Sequence, residues 1–208
     1  MNIIHQAVLA TMAFTALEAN AALPDNVLTP VSAVASSTLF TVSVDNLIDN
    51  SGLNGELHSG NWSDMWLKDG TFPVDTTALL TFDLGQSYKL SSALIWQYNS
   101  DIDYNRGVKD FYIKVSNDGV NFETIGDLHS LTASKGGNIP AQVVDFSAAA
   151  RYVQFDIRTN HDQQWPWVGL SEVKFVTAPV PEPTSYAMLG LGIALVGAVV
   201  RRRNRNQA

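Results

Sequence analysis

Arg106-Gly107-Val108-Lys109-Asp110-Phe111-Tyr112-Ile113-Lys114-Val115-Ser116-Asn117-Asp118-Gly119 is the stretch that decides the fold. Phe111, Ile113 and Val115 share one face of an extended chain, while Tyr112 and Lys114 take the other. That period of two predicts a strand buried on one side. Asn117-Asp118-Gly119 then supplies turn chemistry ahead of a second run, Phe122–Leu128, so a hairpin is expected here. Working outward, Val153, Phe155 and Ile157 alternate with Gln154, Asp156 and Arg158 over Tyr152–Ile157. Further short runs rich in β-branched and aromatic residues lie at Thr38–Val44, Ala78–Leu84, Ala93–Tyr98, Gln142–Phe146 and Val173–Thr177. No helical period of useful length falls between Leu23 and Ala178. Strands this numerous, each with one buried face, predict an all-β antiparallel jelly-roll β-sandwich.

The two ends of the sequence differ from this body. Ala7 to Leu17 is mostly apolar and Ala19-Asn20-Ala21 fits a small-x-small cleavage site, so residues 1–22 are expected to form a signal peptide. Its first residues hold no Lys or Arg. At the other end stand Pro181-Glu182-Pro183, an apolar run from Tyr186 to Val200, and Arg201-Arg202-Arg203-Asn204-Arg205. The prolines fix an extended, protease-readable linker. The apolar run would span roughly 22 Å as a helix against about 30 Å of hydrocarbon, a short span made feasible by snorkelling arginines. The arginines favour the cytoplasmic side. In order and position these three parts resemble the PEP-CTERM sorting signal, which implies processing by an exosortase in a Gram-negative bacterium. The expected division is signal peptide 1–22, lead-in and first strand 23–42, β-sandwich 43–177, linker 178–184, transmembrane helix 185–200 and basic tail 201–208. Localisation then runs through an inner-membrane-anchored intermediate to the cell surface or matrix.

The exported body carries no cysteine and must be held by its core. Residues 22–183 hold 19 acidic and nine basic side chains, a net of −10. That balance argues against nucleic acid and anionic membrane surfaces as partners, and suits neutral sugars and divalent cations.

Four segments in order extend the reading: Asn46-Leu47-Ile48-Asp49-Asn50-Ser51-Gly52-Leu53, Thr81-Phe82-Asp83-Leu84-Gly85, the opening stretch Arg106–Gly119, and Val168-Gly169-Leu170-Ser171-Glu172-Val173-Lys174-Phe175. Together, over roughly Ser43 to Val176, they resemble the discoidin, or factor V/VIII C-type, domains of the galactose-binding-like superfamily. The resemblance implies an eight-stranded jelly roll that binds glycans, lipids or proteins through loops at one end, without catalysis. It also implies a structural Ca²⁺ held by an early Asp-Gly loop and a late Glu, positions that match Asp49 and Glu172 here. Asn50 stands where the pattern has Gly, and Asn is among the few residues that tolerate left-handed backbone. The competing reading has Asp49 ordering a turn and Glu172 on a solvated strand face.

Sugar recognition requires flat aromatic faces beside amides and charged groups. Loop segments offer Trp62, Tyr104, Asn105, His161, Trp165 and Trp167 as candidate ligand contacts, with Asn61, Trp66, Tyr98 and Asn99 nearby. Trp66 and Trp96 read as core. Asp101-Ile102-Asp103-Tyr104-Asn105 has calcium-loop spacing, but position 12 is Tyr112, which excludes an EF-hand. There is no HExxH, no cysteine nucleophile and no phosphate loop. Gly169-Leu170-Ser171-Glu172-Val173 lacks the second glycine of a nucleophile elbow. The expected function is non-catalytic binding of polysaccharide at the cell surface. A matrix or adhesion protein contacting other proteins, and a small polysaccharide-active enzyme, are the alternatives.

Overall fold

A computed structural model describes residue 23 and residues 26–179. The expected signal peptide, the prolines of the linker, the apolar run and the arginine tail lie outside the described residues. Within them the chain forms ten strands: β1 (Val27–Leu28), β2 (Ser32–Ala35), β3 (Leu53–Asn54), β4 (Leu57–His58), β5 (Trp66–Leu67), β6 (Ala78–Gln97), β7 (Val108–Ser116), β8 (Glu123–Ser130), β9 (Gln142–Asn160) and β10 (Gly169–Thr177). Three single 3₁₀ turns, η1 (Val44–Leu47), η2 (Trp62–Asp64) and η3 (Tyr104–Arg106), join them, and no α-helix occurs among the described residues.

Two strands of about twenty residues build both layers. Residues 78–83 of β6 pair with 152–157 of β9, and residues 88–95 of β6 pair with 142–150 of β9, with a register shift between Asp83 and Tyr88. Ala148, Ala149 and Ala150 of β9 pair with Leu90, Lys89 and Tyr88 just past that shift. The first layer is therefore β2, the first half of β6, the second half of β9, β7 and β8. The second is the first half of β9, the second half of β6, and β10, flanked by β1 and β5. All the pairings of the named strands are antiparallel.

Between the layers, Phe82 and Phe155 of the first meet Phe175 of the second, with Phe111 against Phe155 and Phe146 against Phe175. Phe82 lies 5.2 Å from Phe155 and 5.6 Å from Phe175, with steep interplanar angles that suit aromatic quadrupoles. Leu80, Ile95, Ile113, Val153, Ile157 and Val173 fill the space around them, all fully buried. The β7–β8 hairpin forms as expected, and its Asp118 accepts from the backbone of Asn121 and Val120, which holds that carboxyl far below its ordinary range.

The expected strand Thr38–Val44 does not form. Leu39 and Val42, three residues apart, are the side chains that pack inward, against Met65, Leu67 and Tyr98. A strand would have buried every second residue, and Phe40 instead stands 92% exposed. The first strands lie earlier, inside the supposed lead-in, because β2 pairs with β6 and β1 with β10. The separate strands expected at Ala78–Leu84 and Ala93–Tyr98 are one strand, as are Gln142–Phe146 and Tyr152–Ile157.

Candidate functional site

The sandwich has two distinct ends. Gln97 at the close of β6 donates to the carbonyl of Val108 at the start of β7, and His161 N–H donates to the Gly107 carbonyl. This end therefore gathers residues 59–77, 98–107, 131–141 and 161–168. At the opposite end lie residues 85–87 of β6, the loop at 117–122, and the chain exit, where Ala178 N–H donates to the Lys89 carbonyl.

Buried amides hold the loops of the first end. Asn160, fully buried, donates to the carbonyls of Trp165 and Trp167 at 3.0 and 2.7 Å and accepts from Gln163 N–H. Asn99, also fully buried, donates to the carbonyls of His58, Ser59 and Gly137. Gln97 ties Val108 to Thr132 in the same way. Each amide satisfies backbone groups that would otherwise be orphaned, which fixes the loops without regular pairing. Tyr98 is buried beside Asn99 and packs on Leu67 and Met65, so neither residue reaches the surface.

On this scaffold sits an aromatic stack. Trp165 and Trp167 lie with ring centroids 5.7 Å apart and planes at 29°. Arg106 lays its guanidinium over Trp167 at 4.8 Å while pairing with Asp103 at 3.1 Å. Phe72 meets Trp165 edge-on at 6.3 Å. Trp165 is 49% and Phe72 66% exposed. Gly70 lies directly beneath: a Cβ there would come within 2.6 Å of Trp167 Nε1. Asn105 donates to the Asp162 carboxylate at 2.6 Å, joining η3 to the Trp165 loop, and exposed Tyr104 stands beside it.

The structure thus brings Tyr104, Asn105, Trp165 and Trp167 to one end, together with Arg106 and Phe72. Trp62 is exposed on η2, capped by Asn61, and makes no ring contact with the stack among the described residues. His161 belongs to the same loop, but its Nε2 is buried without a partner among the described residues, and burial lowers its pKa. Trp66 and Trp96 are fully buried, as read. Phe72 was missed because a Thr-Phe-Pro segment has no period; only its turn-like context marked it.

A second locus lies on the outer face of β10. Glu172 is fully buried, which removes the solvated reading. Its Oε2 accepts from Asn50 N–H at 3.2 Å, and its Oε1 has no hydrogen-bond partner among the described residues. Burial pushes its pKa up to about 8; Lys174 and the Asn50 bond oppose this, and the nearby Asp49 carboxylate reinforces it. Lys174 Nζ donates to the Asn50 side chain, so β10 grips this loop twice. Asn50 takes the left-handed conformation (φ 63°) of the glycine it replaces. Gly52 follows at φ 74°, where a Cβ would meet the His58 ring at 2.5 Å. Asp49 Oδ1 accepts from Ser51 N–H. Among the described residues no three His, Cys, Asp or Glu side chains converge as a metal group. The donors here are two neighbouring carboxylates, one with an orphaned buried oxygen. That is hard-oxygen chemistry of the kind Ca²⁺ takes, so these residues fit the ion.

The fold is a two-layer jelly roll that carries an aromatic stack on loops at one end. The F5/8 type C domain family matches residues 32–173, and the chain belongs to that family. The PEP-CTERM protein-sorting motif matches residues 179–203, which marks the chain as an exported substrate of the exosortase system. Neither match is a catalytic domain. No curated protein matches the chain. Among solved structures, it is similar to the CBM32 of AlyQ in complex with 4,5-unsaturated mannuronic acid: TM-score 0.50, 21% identity, covering 73% of this chain and 98% of that one. It is also similar to the family 32 CBM of NanJ from Clostridium perfringens in complex with galactose: TM-score 0.52, 18% identity, covering 69% and 91%. A third is a His 62 mutant of the lectin-binding domain of Lectinolysin complexed with Lewis b: TM-score 0.53, 16% identity, covering 76% and 100%. At these identities the likeness is one of fold.

Proposed function

We propose that this chain is an exported, non-catalytic protein that binds polysaccharide through the loop end of its sandwich. The observation that carries this reading is the Arg106–Trp167–Trp165–Phe72 stack, half-exposed on loops pinned by Asn160. The face of an exposed indole accepts the apolar face of a pyranose. Around it, Tyr104, Asn105, Asp162, Gln163 and Arg106 supply donors and acceptors for ring hydroxyls. Arg106 is held by Asp103 and Trp167, so little ordering is required on binding. The sugar-bound neighbours on the same fold support the choice of ligand class. The described chain leaves the sandwich at the end opposite the platform. Exosortase is the partner during sorting, and the cell surface or matrix the destination.

At the second locus, Asp49 and Glu172 with backbone carbonyls of the 46–54 loop would hold Ca²⁺ as a structural ion. It would neutralise the buried carboxylate and tie the early loop to the last strand.

A second reading, adhesion through protein contact, draws on Val34 and Leu79, exposed at 64% and 39% on the outer face of the first layer. A glycan panel separates the two. Residues 23–178 should be retained on a polysaccharide, and Trp165→Ala should lose at least tenfold in affinity while melting normally. A folded domain retained on no glycan, with or without Ca²⁺, sinks the polysaccharide reading and leaves the protein-contact one.

A further inference from the structure

The loop from Lys68 to Thr77 has two sides. Its tip, Phe72, abuts Trp165, and Gly70 supports Trp167. Its other flank forms one wall of a groove of about 480 Å³, lined by Lys68, Asp69, Thr71, Asp75, Asp156 and Arg158, with Ser36 and Ser37 opposite. That volume falls in the range of roughly 300–1,000 Å³ typical of ligand pockets. The floor is built of firmly held charged groups. Lys68 is 4% exposed and pairs with Asp75 at 3.2 Å; Asp156 is 6% exposed and takes Lys114 at 2.6 Å and Arg158 at 2.7 Å. Thr76 Oγ donates to the Arg158 carbonyl, closing the end of the loop onto β9.

We infer that this groove is a second sugar subsite, continuous with the aromatic stack across Phe72, and that the ligand is an internal stretch of a neutral polysaccharide rather than a terminal sugar. The inference rests on the polysaccharide reading above and extends it. Charge selects the ligand class. Lys68 is matched by Asp75, Lys114 and Arg158 share Asp156, and Asp69 adds a third carboxylate, so three cations face three carboxylates and the groove carries no net charge. An anionic chain of uronates or sulfates would find no net positive charge to draw it in. Sugar hydroxyls donate to carboxylates and accept from guanidinium and ammonium groups without changing the charge balance. The exposed Phe72 ring between the two sites offers an apolar step over which a chain can pass.

The test is a length ladder. Binding of mono- to hexasaccharides of galactan, mannan and β-glucan, with alginate oligomers as the anionic comparison, is measured by calorimetry on the wild type, Asp69→Ala and Ser37→Tyr. Asp69 is exposed and Ser37 half-buried, and melting curves confirm folding. The expected result is a rise of tenfold or more from the monosaccharide to the tetrasaccharide of one neutral series. Both variants should abolish most of that rise while monosaccharide affinity stays within twofold. Affinity independent of length would overturn the groove while leaving the Trp165 platform standing. So would a length gain that both variants keep, or tighter binding of alginate than of any neutral chain. Wild type silent on every sugar would remove the platform and the groove together.

Discussion

Glu172 offers the sharpest quantitative prediction. Its folded pKa is raised from 4.5 to about 8 by burial, so the folded, metal-free domain keeps the proton that the unfolded chain releases near 4.5. The stability tied to that proton is fully present below about 4.5 and is lost as pH rises through about 8. At 1.36 kcal/mol per pKa unit the loss is at most about 5 kcal/mol, and roughly 2–5 kcal/mol once the ionised group relaxes toward Lys174. In a domain of this size each kcal/mol moves the melting temperature by about 2–4 °C, so a fall of roughly 4–20 °C is expected. The assay is differential scanning calorimetry of residues 23–178 in EDTA from pH 5 to 9, repeated with millimolar Ca²⁺. Chelated wild type should lose stability toward pH 9. Calcium should restore it there and do little at pH 5, where protons hold the carboxyl. Glu172→Gln should show no loss of stability between pH 7 and 9 and should ignore Ca²⁺. Chelated wild type with a flat profile above pH 5, unmoved by Ca²⁺, would refute the reasoning about both the carboxyl and the ion.

Other consequences are open to simpler checks. Asn160→Ala should cost about 2–4 kcal/mol in urea unfolding, because two carbonyls and one N–H lose their partner, and sugar binding should fall with it. Gly70→Ala should leave the melt within a few degrees yet weaken sugar binding severalfold, since the added methyl displaces the Trp167 ring. His129 and His161 have pKa values lowered by burial, so their contribution to stability is lost as pH falls below about 6.5, opposite in sign to Glu172. His129→Gln together with His161→Gln should flatten the acid side of the stability profile between pH 5 and 6.5.

What the sequence disclosed, and what it withheld, follows from the range of the interactions involved. The alternation of Phe111, Ile113 and Val115 is local and was legible, as was the Asn117-Asp118-Gly119 turn. The left-handed Asn50 was legible because few other residues suit that backbone. Thr38–Val44 misled because its β-rich composition mimics a strand, while its actual partners, Met65, Leu67 and Tyr98, are distant in sequence. Asn99 looked like a sugar ligand and Asn160 went unmarked, yet both are buried pins. An amide reads the same whether it faces a pyranose or a backbone carbonyl, and only the fold decides. The Trp165–Trp167 pair was visible as composition, but the stack's other members come from loops some sixty to ninety residues earlier.

These placements divide the molecule's tasks by position. The phenylalanine core lies between the layers, and the loops at the binding end are held by Gln97, Asn99 and Asn160, which touch backbone and not surface. Substitutions at the exposed Trp165 or Tyr104 therefore leave the amides that hold these loops undisturbed. The Asp49–Glu172 locus sits on the outside of the second layer, tying an early loop to β10. The last described residues follow directly from β10. A pull on the C-terminal segment is borne first by β10, at its junction with β6 and β1. Glu172 and Lys174 anchor the 48–52 loop to that same strand. A proton on the buried Glu172 strengthens the strand from which the last described residues follow, at its end nearer the aromatic stack.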